Sequence, residues 1–141
     1  MTIQDLIHVL LDESDLIDEL AGLVVEQRES IKNADQVTMQ EHMKRVQDVF
    51  FRVKTQEAQR ERAAASLAAE LGCEPNISSL MGAIPEGDRL LLNGAGERLG
   101  HSVFNLKTEM VVLSGLIEQN ERFSAMLLSE WRRLDTGFKH S

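Results

Sequence analysis

Four histidines and one cysteine are the residues of this sequence with the clearest capacity for chemistry: His8, His42, His101, His140 and Cys73. A carboxylate-bridged pair of metals in a helical bundle needs two Glu-x-x-His pairs and further inward glutamates. Only His8 has an acid three residues before it, Asp5, and there is no second pair. Cys73 lacks a Cys or His partner at zinc spacing. As the only cysteine, it cannot close an internal disulfide, which fits a reducing compartment. The run Gly94-Ala95-Gly96-Glu97-Arg98-Leu99-Gly100 looks faintly like a dinucleotide loop. Its glycine spacing is one residue too long, and no strand precedes it, as that motif requires. The expectation is a protein with no catalytic residue, no cofactor and no bound metal or nucleotide.

The elements that would position any site are helical. Alanine, leucine, glutamate, glutamine and arginine dominate, and all favour helix. Proline occurs only at positions 75 and 85. In the first helix, residues 3–32, Ile3, Leu10, Ile17, Val24 and Ile31 recur every seven residues, with Leu6 and Leu20 on the interleaved row. Val9, Leu16 and Leu23 widen that stripe, the pattern of a helix facing a bundle core. Asn33-Ala34-Asp35 interrupts it, with Asp35 or Thr38 (followed by Glu41) available to cap the next helix. The second helix, residues 36–71, carries Met39, Met43, Val46, Phe50, Val53, Ala64, Leu67 and Leu71, and Gly72 supplies its stop. So short a link predicts an antiparallel pair.

Residues 73–87 form a connector in which Ile77 to Ala83 can make a short helical turn capped by Asn76. Asp88 is a candidate cap for a third long helix over residues 88–135. Its rows are Leu92, Leu99, Leu106, Leu113, Leu127 and Leu134, and Val103, Met110, Ile117, Trp131 and Phe138. Gly94, Gly96 and Gly100 each weaken a helix interior by about 1 kcal/mol, so a bend or fraying is expected there. The fold class is therefore all-α: one elongated antiparallel bundle or coiled coil of three long helices, forming a single domain over residues 1–141.

The net charge of −8 is concentrated in residues 1–35, which hold nine acids against Arg28 and Lys32. No segment has the basic footprint that nucleic acid or an anionic membrane surface requires. The start of the chain carries an early acid and no basic region, and no apolar run approaches the roughly 20 residues of a membrane span. A cytoplasmic protein is expected.

Two features stand out from this background. Glu13, Gln27, Glu57, Arg60 and Asn120 interrupt the apolar rows, as a polar layer that fixes helix register would. Counted out from the turn near Ala34, Glu13 falls level with residues 55–57 and should approach Arg60, with Glu57 nearby. The second feature is a further apolar stripe on the last helix: Val112, Leu116, Phe123 and Met126, beside Asn120 and Leu127. A helix apolar on two sides either sits between neighbours or receives a partner helix. Six methionines favour an adaptable binding surface.

This organisation resembles the FlgN-type flagellar export chaperones. The resemblance rests on the acidic, leucine-rich first helix (LIHVLLDESDLIDELAGLVVEQRESIKNAD) and on the stretch KTQEAQRERAAASLAAELG that closes the second. It extends to the Ile77-Ser78-Ser79-Leu80 turn and to LIEQNERFSAMLLSEW, where Asn120 matches an asparagine common in the family. The Asn93–Gly100 stretch departs from the family pattern. The resemblance implies binding rather than catalysis. It implies a chaperone that holds the C-terminal helical segments of hook-associated proteins, prevents premature assembly and delivers them to the flagellar type III export gate. It places substrate on the C-terminal part of the last helix, hence the candidate set Val112, Leu116, Asn120, Phe123, Met126 and Leu127. A coiled-coil scaffold or adaptor with no secretion role is the alternative reading.

Overall fold

The structure is a computed structural model that describes residues 2–33, 36–119, 129 and 132–134. Its regular structure is all helical, with no strand among these residues. The helices are α1 (Ile3–Lys32), α2 (Gln36–Leu71), α3 (Ile77–Ala83) and α4 (Glu86–Gln119), and helical backbone returns at 132–134.

Local chemistry accounts for the helix ends. Thr2 and Asp5 cap α1 reciprocally: the Thr2 amide donates to Asp5 Oδ2 at 2.8 Å, and the Asp5 amide donates to Thr2 Oγ1 at 3.2 Å. The backbone donor of Thr2, then its side chain, holds the Asp5 carboxyl below its ordinary range. At the end of α2, Gly72 takes φ +69°, and the Cys73 amide donates to the Ala68 carbonyl at 3.1 Å. This is a left-handed glycine stop with its six-to-one bond. Asn76 caps α3 by accepting from the Ser79 amide at 2.8 Å. Ile84 is extended, as the residue before Pro85 must be.

Four expectations are corrected here. Asp88 does not cap the last helix, because α4 already begins at Glu86 and the Pro85 carbonyl accepts from the Arg89 amide at 3.0 Å. A proline immediately before a helix sacrifices no needed donor, so Pro85 leads directly into α4. The glycines do not fray α4, which continues through Gly94, Gly96 and Gly100. Gly96 has a packing reason, since a Cβ there would lie 3.2 Å from Ile77 Cδ1 of α3. Finally, one straight helix over residues 88–135 does not hold. Arg132 reaches Glu118 at 3.0 Å across 14 residues, whereas a straight helix separates such positions by about 21 Å along its axis. Residues 120–128, 130 and 131 lie outside the described ones, as does the candidate cap Asp35. Thr38 lies inside α2 and so does not open it.

The chain packs as two compact units. The first comprises Met1–Ile17 and Arg52–Val103, the second Asp18–Phe51 and Phe104–Ser141. In the first, Ile3, Leu6 and Leu10 of α1 meet Ala63, Leu67 and Ala68 of α2, Leu80 of α3, Ile84, and Leu92 and Ala95 of α4. Gln4 bonds to Asp88 and Asp15 pairs with Arg98. The partners advance together along the two helices, so α4 runs parallel to α1 there. In the second unit, Leu20, Val24, Ile31, Met39, Met43, Val46, Val49, Leu106, Met110, Leu113, Ile117 and Leu134 are buried. On α2 the buried positions include Val49 and Ala63, while Phe50 and Ala64 are half-buried and Leu71 is exposed.

Candidate partner-binding surface

The polar layer comes together in the first unit. Arg60 Nε donates to Glu13 Oε2 at 2.9 Å, as the register count anticipates. Glu13 is buried, with its side chain 3% exposed, while Arg60 keeps 28% exposure. Burial pushes the Glu13 carboxyl up from its ordinary value; the Arg60 charge and hydrogen bond act against this, and Glu57 adds to it. Glu57 itself accepts from Lys54 at 3.3 Å. The arrangement is an ion pair built into an apolar seam.

The second unit holds another set of polar groups. Gln27 is fully buried; its Nε2 donates to the Met39 carbonyl at 3.5 Å, and its Oε1 has no partner. His42 lies 3.3 Å from Ser30 Oγ and 3.2 Å from Glu26, which Arg45 also approaches. Arg28 reaches Glu109 of α4 at 2.7 Å, close enough for an ion pair although Glu109 Oε2 gains no aligned hydrogen bond. These contacts tie α1 to α2 and to α4. Among the described residues, no group of three or more His, Cys, Asp or Glu could hold a metal ion. None of the described helices is long and apolar enough to cross a membrane.

Exposed apolar surface is left on α4. Leu106, Met110, Leu113 and Ile117 face the core of the second unit. Of the candidate set, Val112 is 46% exposed and Leu116 is half-buried, so both lie on the flank beside that core row. Asn120, Phe123, Met126 and Leu127 lie outside the described residues. Sequence reasoning missed Phe104 and Val111, each 72% exposed and the most open apolar side chains on this part of the helix. Their spacing of seven marks one helix face and could have revealed them, but in a leucine-rich helix it reads as one more core row. Leu90 and Leu91, on α4 in the first unit, are also exposed and were not read from the sequence.

The helices are tied by ion pairs of which Glu13 is the buried member, and large apolar side chains stay exposed on α4. The chain belongs to the FlgN family: the family model described as "FlgN protein" matches residues 1–137. It is thus a flagellar export chaperone in the general sense, with a part in flagellum biogenesis and protein export. No curated protein and no solved structure matches the chain.

Proposed function

We propose that residues 1–141 act as one cytoplasmic chaperone domain that holds the C-terminal helical segments of flagellar hook-associated proteins. It keeps them from assembling early and passes them to the type III export apparatus. The protein works by binding and catalyses nothing. The substrate helix lies on Val112, Leu116, Asn120, Phe123, Met126 and Leu127.

The observation that carries this reading is the incomplete burial of Val112 and Leu116 beside a core row that is itself fully packed. A helix whose core face is satisfied and whose flank remains apolar suits an amphipathic partner laid along it. The test is calorimetric titration with the C-terminal fragment of a hook-associated protein, using wild type and Val112→Asp. Expected is binding by wild type, weakened at least tenfold in the variant with its melting temperature kept. No binding by the wild-type chain would leave the scaffold reading in its place.

A further inference from the structure

One ion pair interrupts the apolar surface that α1 and α4 leave open in the second unit. Arg28 Nη2 of α1 lies 2.7 Å from Glu109 Oε2 of α4, and the two side chains keep 23% and 22% exposure. Glu109 Oε2 is buried and takes no hydrogen bond among the described residues, so the contact is charge against charge without hydrogen-bond alignment. Apolar side chains adjoin the pair on both helices. Val25, 39% exposed, lies one turn from Arg28 along α1. Val112, 46% exposed, lies one turn from Glu109 along α4, and the half-buried Leu116 one turn beyond it. Positions three, four and seven apart share a helix face, so the ion pair and these three residues belong to one surface.

An amphipathic helix laid on Val25, Val112 and Leu116 removes the water that still reaches the pair. Sealing a charge away without its hydrogen bonds is strongly unfavourable, so the pair sets a condition on what can lie there. A lysine or arginine satisfies Glu109 and is repelled by Arg28. A carboxylate satisfies Arg28 and is repelled by Glu109. An apolar side chain satisfies neither. A carboxamide satisfies both, its N–H donating to the Glu109 carboxylate and its carbonyl accepting from Arg28, and it brings in no net charge.

We propose that Arg28 and Glu109 are specificity-determining residues of the partner surface. They select an amphipathic helix that carries an asparagine or glutamine one turn from its apolar contacts with Val112 and Leu116. This rests on the proposed function, in which Val112 and Leu116 receive the substrate helix, and it extends that surface onto α1 through Val25 and Arg28. The pair acts mainly by exclusion, because helices that lack the carboxamide leave both charges unsatisfied.

The test is calorimetric titration of the full chain with a hook-associated C-terminal fragment in which each asparagine and glutamine is changed to leucine in turn. Against the wild-type chain, one such change should weaken binding about tenfold or more, as expected when hydrogen bonds to charged groups are lost on burial. Against Arg28→Leu with Glu109→Leu, the same change should shift the dissociation constant by less than about threefold, since no charge is left to satisfy. Against the exchanged pair, Arg28→Glu with Glu109→Arg, the preference should return, because a carboxamide can turn over. This second variant keeps an ion pair and so covers the case in which the apolar replacement disturbs the fold. A pair that serves only to join α1 to α4 would alter the melting temperature and leave the fragment's preference unchanged in every variant. That result overturns the proposal, as does a fragment in which no carboxamide matters, and both leave substrate binding on α4 standing. A wild-type chain that binds no fragment overturns substrate binding itself, and this proposal with it.

Discussion

Replacing Arg60 by Met removes the partner of a buried carboxylate while keeping an unbranched side chain of similar length. Breaking a buried ion pair from one side costs about 3–5 kcal/mol where the remaining charge is sealed in. Here Arg60 is 28% exposed, so water can follow the vacated guanidinium toward Glu13; a cost of about 2–3 kcal/mol is expected. For a chain of this size, that lowers the melting temperature by roughly 6–9 °C. The pH dependence identifies the cause. Burial raises the folded-state value of Glu13 above the ordinary 4.5, so the folded state holds the proton more readily than the unfolded one. Stability from this group is then greatest below 4.5 and falls as pH rises through the folded-state value. In Arg60→Met the opposing charge is gone, the folded-state value climbs further, and the loss extends to higher pH. Thermal melts at pH 4, 5.5 and 7.5 should therefore show a small deficit at acid pH and the full deficit at pH 7.5. Adding Glu13→Leu to Arg60→Met should recover most of the loss, since an apolar pair avoids both desolvation penalties. A deficit that stays constant with pH, or one the double variant does not relieve, would refute the account of a desolvated carboxylate held by one arginine.

Phe123→Ala should weaken binding of a hook-associated C-terminal fragment by about 1–3 kcal/mol, roughly 5- to 150-fold by calorimetry. Leu113→Ala, at a fully buried position, should instead lose about 2–5 kcal/mol of fold stability; a collapsed fold with intact affinity in Phe123→Ala would put that ring in the core. Gly94→Ala and Gly100→Ala should each raise stability by about 0.5–1 kcal/mol, because a Cβ at either meets nothing within 4 Å. Gly96→Ala should gain less, or lose, against Ile77, and chemical denaturation ranks the three. Elemental analysis of the purified chain should find no stoichiometric transition metal, and one metal ion per chain would overturn the reading of its histidines and Cys73.

The ends of α2 and α3 were legible because their signals are local. Gly72 and Asn76 each act on backbone groups within a few residues; Thr2 with Asp5 is equally local but was not read as the cap of α1, whose start was placed from its apolar rows. Glu13 with Arg60 was legible because a short link fixes antiparallel register and counting from the turn does the rest. What escaped depended on context beyond spacing. Pro85 suits the end of one helix or the start of the next, and only Ile84 and Leu80 in the shared core decide for the start of α4. The glycines of α4 looked like a place to fray because propensity counts a cost per residue and cannot see α3 seated on Gly96. Val49 and Phe50 occupy adjacent edges of one stripe, and side-chain direction rather than spacing turns Val49 inward. In the candidate surface, Val112 and Leu116 could be read as surplus to one packing stripe. Phe104 and Val111 could not, since a row of apolar residues looks the same whether the core or water faces it.

A seam built on seven-residue repeats carries a hazard that the ion pair answers. Apolar rows such as Ile3, Leu10 and Ile17 present nearly the same surface after a slip of one repeat, so packing alone discriminates weakly between registers. The charged position does not repeat. A slip of seven residues in either direction would carry Glu13 from Arg60 to the level of Val53 or Leu67, both buried. The carboxylate would keep its burial and lose its partner, at a cost of several kcal/mol, close to half the stability of many single domains. The native pair need add nothing to stability to have this effect. It acts by making every neighbouring register worse, and with it the placement of every side chain that α1 and α2 share in that unit.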